Sequence, residues 1–209
     1  MRRVGGVAER PNAPVSKTGV PARVPRVRIS PPPPTNQQKY KFMAVKITYF
    51  VHGTTTDNEK GVSSGWSDVG LSQLGVRQSI ELKSQIKDKK FDVIFCSDLK
   101  RAIDSAKLTF EGTTQIIQDQ RLRECNYGKY NAQASAIVEP MQEKNINQRF
   151  PEGESYEDVK ARIADFLEFL KNNYNCRLIA IVGHKAPQLA LDVLLKNKTW
   201  QPGWEYILE

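Results

Sequence analysis

The sequence predicts an α/β fold of three layers, a mostly parallel central sheet with helices on both faces. Three observations carry this expectation. Short runs of β-branched and aromatic residues alternate with longer runs at helical spacing, the order of successive β-α-β units. The run LIAIV (178–182) is apolar throughout, as a strand buried on both faces must be. Residues 44–209 hold nearly all such runs, and their number suits one domain with a single core.

The elements follow in order. VKITYFV (Val45–Val51) has the composition of a buried strand. LSQLGVRQSIELKSQI (Leu71–Ile86) sets Leu71, Leu74, Ile80 and Leu82 at roughly helical spacing, with Ser72 placed to cap. FDVIFC (Phe91–Cys96) reads as a second strand, followed by a helix from about Leu99 to Phe110, and Gln115–Ile117 as a third strand. YEDVKARIADFLEFLKNNY (Tyr156–Tyr174) carries one apolar stripe, Val159, Ile163, Phe166, Leu167 and Leu170, with Ser155 as its cap. After the LIAIV strand, Pro187–Leu195 reads as a helix.

Residues 1–43 are a different object. They hold eight of the twelve prolines, nine Lys/Arg and one acid, Glu9, with almost nothing to bury, so they are expected to be disordered. PVSKTG (Pro14–Gly19) can be back-translated as CCG GTC TCG AAA ACC GGC, whose ends are complementary. RVRIS (Arg26–Ser30) can be written with the GGTTCGAATC of a transfer-RNA T-arm. The segment therefore resembles a translated serine transfer-RNA gene running into the coding sequence, which makes Met43 the expected start and 44–209 the domain.

The charge of +8 belongs to that segment. Of 31 Lys/Arg and 23 Asp/Glu, 22 of each remain in residues 44–209, so composition gives no nucleic-acid partner. Cys96, Cys125 and Cys176 lie far apart with no CxxC pair, and the chain has only two histidines. Reduced thiols in a cytoplasmic protein are expected, and no zinc site. No apolar run approaches the ~18 residues of a bilayer span, so no membrane partner is expected.

In parallel sheets the ligand site lies beyond the carboxyl ends of the strands. His52 follows VKITYFV, His184 follows LIAIVG, and Arg101 comes shortly after FDVIFC. Each has a structural reading of its own, as a strand-end histidine or a helix cation. Together they are three basic side chains at three strand ends.

Six stretches in order are similar to the histidine phosphatase superfamily, the phosphoglycerate mutase-like proteins. VHGTTTDN supplies His52, Gly53, Thr55 and Asn58 for the family's opening Arg-His-Gly-x-Thr and later asparagine. GWSDVGLSQLG gives Gly65, Trp66, Asp68, Leu71, Ser72 and Gly75, and SDLKRA ends on Arg101. LRECNYG places Glu124, Gly153–Ser155 precede the long helix, and IVGH ends on His184. The resemblance implies a metal-independent phosphatase needing no cofactor and acting on a small phosphorylated substrate. It assigns His52 as the nucleophile that carries a phosphohistidine, Arg101 and His184 as phosphoryl holders, and Glu124 as acid and base. Gly53, Thr55, Asn58, Trp66 and Lys185 join as expected phosphate- or substrate-binding residues.

One position departs. Val51 stands where the family has its first arginine, a second charged fork for the phosphoryl group. Losing one preorganised donor costs roughly 10²–10³ in rate. Lys185, next to His184, can return a cation as a point charge, not a fork. Val51, opposite in pleat to His52, is expected to face the apolar side. The alternative reading is therefore a phosphate-binding or interaction domain with impaired turnover. A mutase is the least favoured: ECNYG (Glu124–Gly128) lacks the arginine of the mutase motif, and only sixty positions separate Glu124 from His184.

Overall fold

The computed structural model describes residues 44–200, so the expectations for 1–43 lie outside the described residues. Among the described residues six strands and six α-helices run in the order β1 (Lys46–Val51), α1 (Thr56–Glu59), β2 (Val62–Ser63), α2 (Gln73–Gln85), β3 (Val93–Cys96) and α3 (Lys100–Phe110). They continue with β4 (Ile116–Gln118), β5 (Gln133–Ala134), α4 (Ser135–Val138), α5 (Tyr156–Asn173), β6 (Leu178–Gly183) and α6 (Lys185–Lys196). Single 3-10 turns fill the segment between β4 and α5. Among the described residues no helix is long and apolar enough to cross a membrane.

The sheet has the order β1-β6-β3-β4 and every pairing in it is parallel. β1 runs beside β6 from Lys46↔Leu178 to Val51↔Gly183, and β3 joins β6 from Val93↔Ile179 to Cys96↔Val182. The pleat then deals side chains to two cores. Phe95, Ile179 and Ile181 meet Val159, Ile163, Phe166 and Leu170 of α5 and Ala186 and Ala190 of α6. Ile94, Cys96, Ala180 and Val182 meet Ala106 and Phe110 of α3 on the other face. Helices therefore cover both faces, as the sequence predicts. Each fully buried Ile, Leu or Phe of α5 contributes about 1.5–3 kcal/mol.

The predicted caps form. Ser72 Oγ accepts from Gly75 N at 3.2 Å, and Ser155 makes a reciprocal capping box with Asp158. The predicted apolar face of α2 forms only in part: Leu82 packs against the core, but Leu74 is 41% and Ile80 51% exposed. The buried positions are Gly75 and Ser79. A Cβ on Gly75 would sit 2.0 Å from Thr54 O, so only glycine allows α2 to approach the loop after β1. Ser79 Oγ donates back to Gly75 O, and Thr109 of α3 donates to Ser79 O at 3.1 Å. Small residues win this face because the helix lies against backbone, where leucine has no room.

Candidate active site

β1 and β6 are neighbours and parallel, so the residues after their last pair, Val51↔Gly183, emerge side by side. The His52 and His184 rings consequently lie 4.9 Å apart at 61°. Arg101 reaches the same place from the first turn of α3, which follows β3. His52 and Arg101 border a cleft of about 740 Å³, whereas His184 is buried and only its neighbours Lys185 and Ala186 border it.

His52 is fixed in a useful tautomer. Its Nδ1 lies 2.8 Å from Gly53 O, a contact that requires the proton on Nδ1 and leaves Nε2 with a free lone pair. Its pKa falls from 6.5 to about 4, first because burial disfavours the cation, then because Arg101 is close; the bond to Gly53 acts the other way. Gly53 N donates to Ser105 Oγ at 2.9 Å and Thr54 N to Gln78 Oε1 at 2.9 Å, so the turn is tied to α3 and α2.

His184 is fully buried, and neither ring nitrogen has a hydrogen-bond partner among the described residues. Burial, then His52, Arg101 and Arg162, hold it neutral, well below its ordinary pKa. Its backbone is pinned: Tyr49 Oη donates to His184 O at 2.8 Å and accepts from His184 N at 2.9 Å. Gly183 makes that possible, since a Cβ there would lie 2.2 Å from the Tyr49 hydroxyl.

Arg101 is 2% exposed and donates to Ser67 O at 3.0 Å and Gly65 O at 2.6 Å. Glu124, Asp68 and Asp57 act on it electrostatically, yet none is in contact, and burial lowers its pKa. Among the described residues this buried guanidinium donates to two carbonyls and pairs with no carboxylate, so its charge is left to act on whatever enters the cleft. Asp68, from the loop carrying Trp66, accepts from Lys100 N at 2.8 Å and so caps the helix that delivers Arg101.

Glu124 is held at both ends. One carboxyl oxygen accepts from Cys125 N (2.8 Å) and Ala186 N (3.1 Å), the other from Lys185 N (3.2 Å). It thus sits on the N-terminus of α6, beside His184. Its carbonyl accepts from Trp66 Nε1 at 2.7 Å and Arg162 Nη2 at 3.0 Å. Oε2 keeps one open lone pair, the one position on the carboxyl where a proton can be carried without evicting a donor.

The remaining predicted residues divide. Asn58 and Lys185 border the cleft, Lys185 with its side chain exposed. Thr55 is fully buried and makes a capping box with Asn58 at the start of α1. Trp66 is not among the cleft-bordering residues; it lies against Glu124, under the Arg123 guanidinium at 4.7 Å, and Arg123 forks onto Asp98 at 2.7 and 2.6 Å. The expectation that Val51 faces apolar packing is corrected. Val51 is 40% exposed and borders the cleft, because β1 is the edge strand and its last residue has no helix over it. The sequence reading missed Tyr49, Ser105 and Arg162. A signal for Arg162 was present: it is an arginine set between Val159 and Phe166 at helical spacing, inside an apolar stripe.

A family model described as the histidine phosphatase superfamily (branch 1) matches residues 49–208. The chain is 32% identical over 162 residues to "Putative phosphoserine phosphatase 2" of Hydrogenobacter thermophilus, covering 72% of this chain and 79% of that protein. It is 32% identical over 143 residues to fructose-2,6-bisphosphatase TIGAR of Xenopus tropicalis, covering 64% of this chain and half of that protein. A solved mycobacterial glucosyl-3-phosphoglycerate phosphatase complexed with VO3 superposes at a TM-score of 0.62 with 28% identity, over 70% of this chain and 79% of that one.

Proposed function

The chain belongs to the histidine phosphatase superfamily, as a phosphatase, and from that premise we propose that it hydrolyses small phosphomonoesters through a phosphohistidine on His52. The observation that carries the reading is the pair of neutral histidine rings 4.9 Å apart, beside a buried arginine that pairs with no carboxylate among the described residues. In the first step the free Nε2 lone pair of His52 attacks phosphorus, and the P–O bond to the alcohol breaks. The departing oxygen keeps that electron pair and takes a proton from Glu124 Oε2. In the second step water attacks the phosphohistidine, Glu124 removes its proton, and phosphate leaves with His52 neutral again. Arg101 and a ring nitrogen of His184 stabilise the phosphoryl oxygens throughout. His184 is fully buried, so its nitrogens meet the phosphoryl group only as the side chains at the cleft floor adjust to it.

A second reading rests on Val51. It borders the cleft where the family carries arginine, and it brings no charge. On that reading the domain binds phosphate and turns it over slowly or not at all. Turnover of p-nitrophenyl phosphate by the wild type and His52→Ala separates the two. Activity that vanishes in His52→Ala, with an acid-labile, alkali-stable phosphoprotein trapped in the wild type, supports the hydrolase. Equal rates in both proteins would discard it.

A further inference from the structure

We propose that Arg162, together with Trp66, is a positioning residue for Glu124, and that its contribution grows with the basicity of the leaving alcohol. The proposal rests on the reading of Glu124 as the acid. Arg162 lies on the packed face of α5, its side chain only 15% exposed. Nε and Nη2 meet the two oxygens of Glu154 at 2.9 and 3.1 Å, and Glu154 Oε2 accepts from Asn126 N at 2.9 Å. The same guanidinium donates to Arg121 O and to Glu124 O. One ion pair therefore grips the backbone before, at and after Glu124.

Trp66 Nε1 supplies the second donor to the Glu124 carbonyl, so both its lone pairs are taken. With the carbonyl clamped on one side and the carboxyl docked on Cys125, Lys185 and Ala186 N–H on the other, Glu124 has no freedom to swing. Arg162 touches no reacting atom. It acts on where the proton donor stands, and an acid misplaced by about 1 Å can lose ~10² in rate.

The chemistry makes this separable from a general loss of stability. A nitrophenolate leaves with the P–O electron pair unaided, whereas an alkoxide must receive a proton as the bond breaks. The value of kcat/KM covers the steps up to leaving-group departure and excludes the later water attack. It should be measured for p-nitrophenyl, phenyl and glycerol phosphates in the wild type, Glu124→Gln, Arg162→Met and Trp66→Phe. Glu124→Gln is expected to lose ~10²–10⁴ on glycerol phosphate and far less on the nitrophenyl ester. Arg162→Met should follow the same trend, with roughly 10- to 100-fold loss on glycerol phosphate and under about threefold on the nitrophenyl ester. Trp66→Phe, which leaves the Arg162–Glu154 pair intact, should tilt the same way and decides the matter if Arg162→Met does not fold. A flat loss across the three esters, or none, beside a steep Glu124→Gln overturns the positioning role alone. A flat Glu124→Gln overturns the acid assignment and this proposal with it.

Discussion

The neutrality of the histidine pair leaves a mark on stability that can be measured without any substrate. In the unfolded chain His52 binds its proton near pH 6.5; in the fold it does so only at about 4, because burial and then Arg101 oppose the cation. Between those values the unfolded chain holds more protons, so the His52 contribution to stability falls as pH falls from 6.5 to about 4 and levels off below. At about 1.4 kcal/mol per pH unit of separation, and with some discount because His52 is part-exposed, the effect is about 2–3 kcal/mol. His184 acts in the same direction. The carboxylates held low by partners, such as Asp158 at about 2, lose their contribution only from 3.8 downward, and Glu157 only from 4.5, so the interval 4.5–6.5 belongs to the histidines. Urea unfolding of the wild type and His52→Asn, at several values between pH 7 and 4.5, reads His52 together with its coupling to His184, since the burial of His184 is common to both. The wild type should lose about 2 kcal/mol more than the variant over that range. Parallel pH profiles would refute the reasoning, because they would mean that folded His52 accepts a proton as readily as the unfolded residue.

Other consequences can be tested directly. Val51→Arg should raise kcat/KM for an aryl phosphate, by up to the ~10²–10³ that one preorganised donor supplies, unless Lys185 already fills the gap. In that case Lys185→Ala should lower it; if neither variant moves turnover, the replacement argument is wrong. Gly75→Ala would favour helix α2 by about 1 kcal/mol on propensity alone. Its Cβ, 2.0 Å from Thr54 O, should reverse the sign, lower the unfolding midpoint and disturb the His52 turn; a stabilised protein would contradict the packing account. Residues 1–42 are proposed to contribute nothing to the domain, so a chain starting at Met43 should keep its unfolding midpoint and turnover, and loss of either would count against this.

The reach of the sequence differs from residue to residue. The placement of His52, His184 and Arg101 at one edge of the sheet was legible because two follow apolar runs directly and the third lies one short turn beyond, and parallel pairing brings strand ends to one edge. The caps Ser72 and Ser155 were legible because capping is local chemistry within four residues. The alternation of Phe95 and Ile94 onto opposite cores needed only the period of the pleat. The face of α2 was legible only in part: Leu82 packs as its spacing suggested, but close approach to Thr54 backbone selected Gly75 and Ser79 over Leu74 and Ile80. Nor was the fate of Val51, since nothing local says that β1 is an edge strand. The clamp on Glu124 lay furthest out of reach. Its donors come from the loop carrying Trp66, from α5 and from the N-terminus of α6, residues 58, 38 and 61 positions away. Hydrogen bonds of that span are specified by packing, and only the assembled fold brings their donors to the carbonyl and carboxylate of one residue.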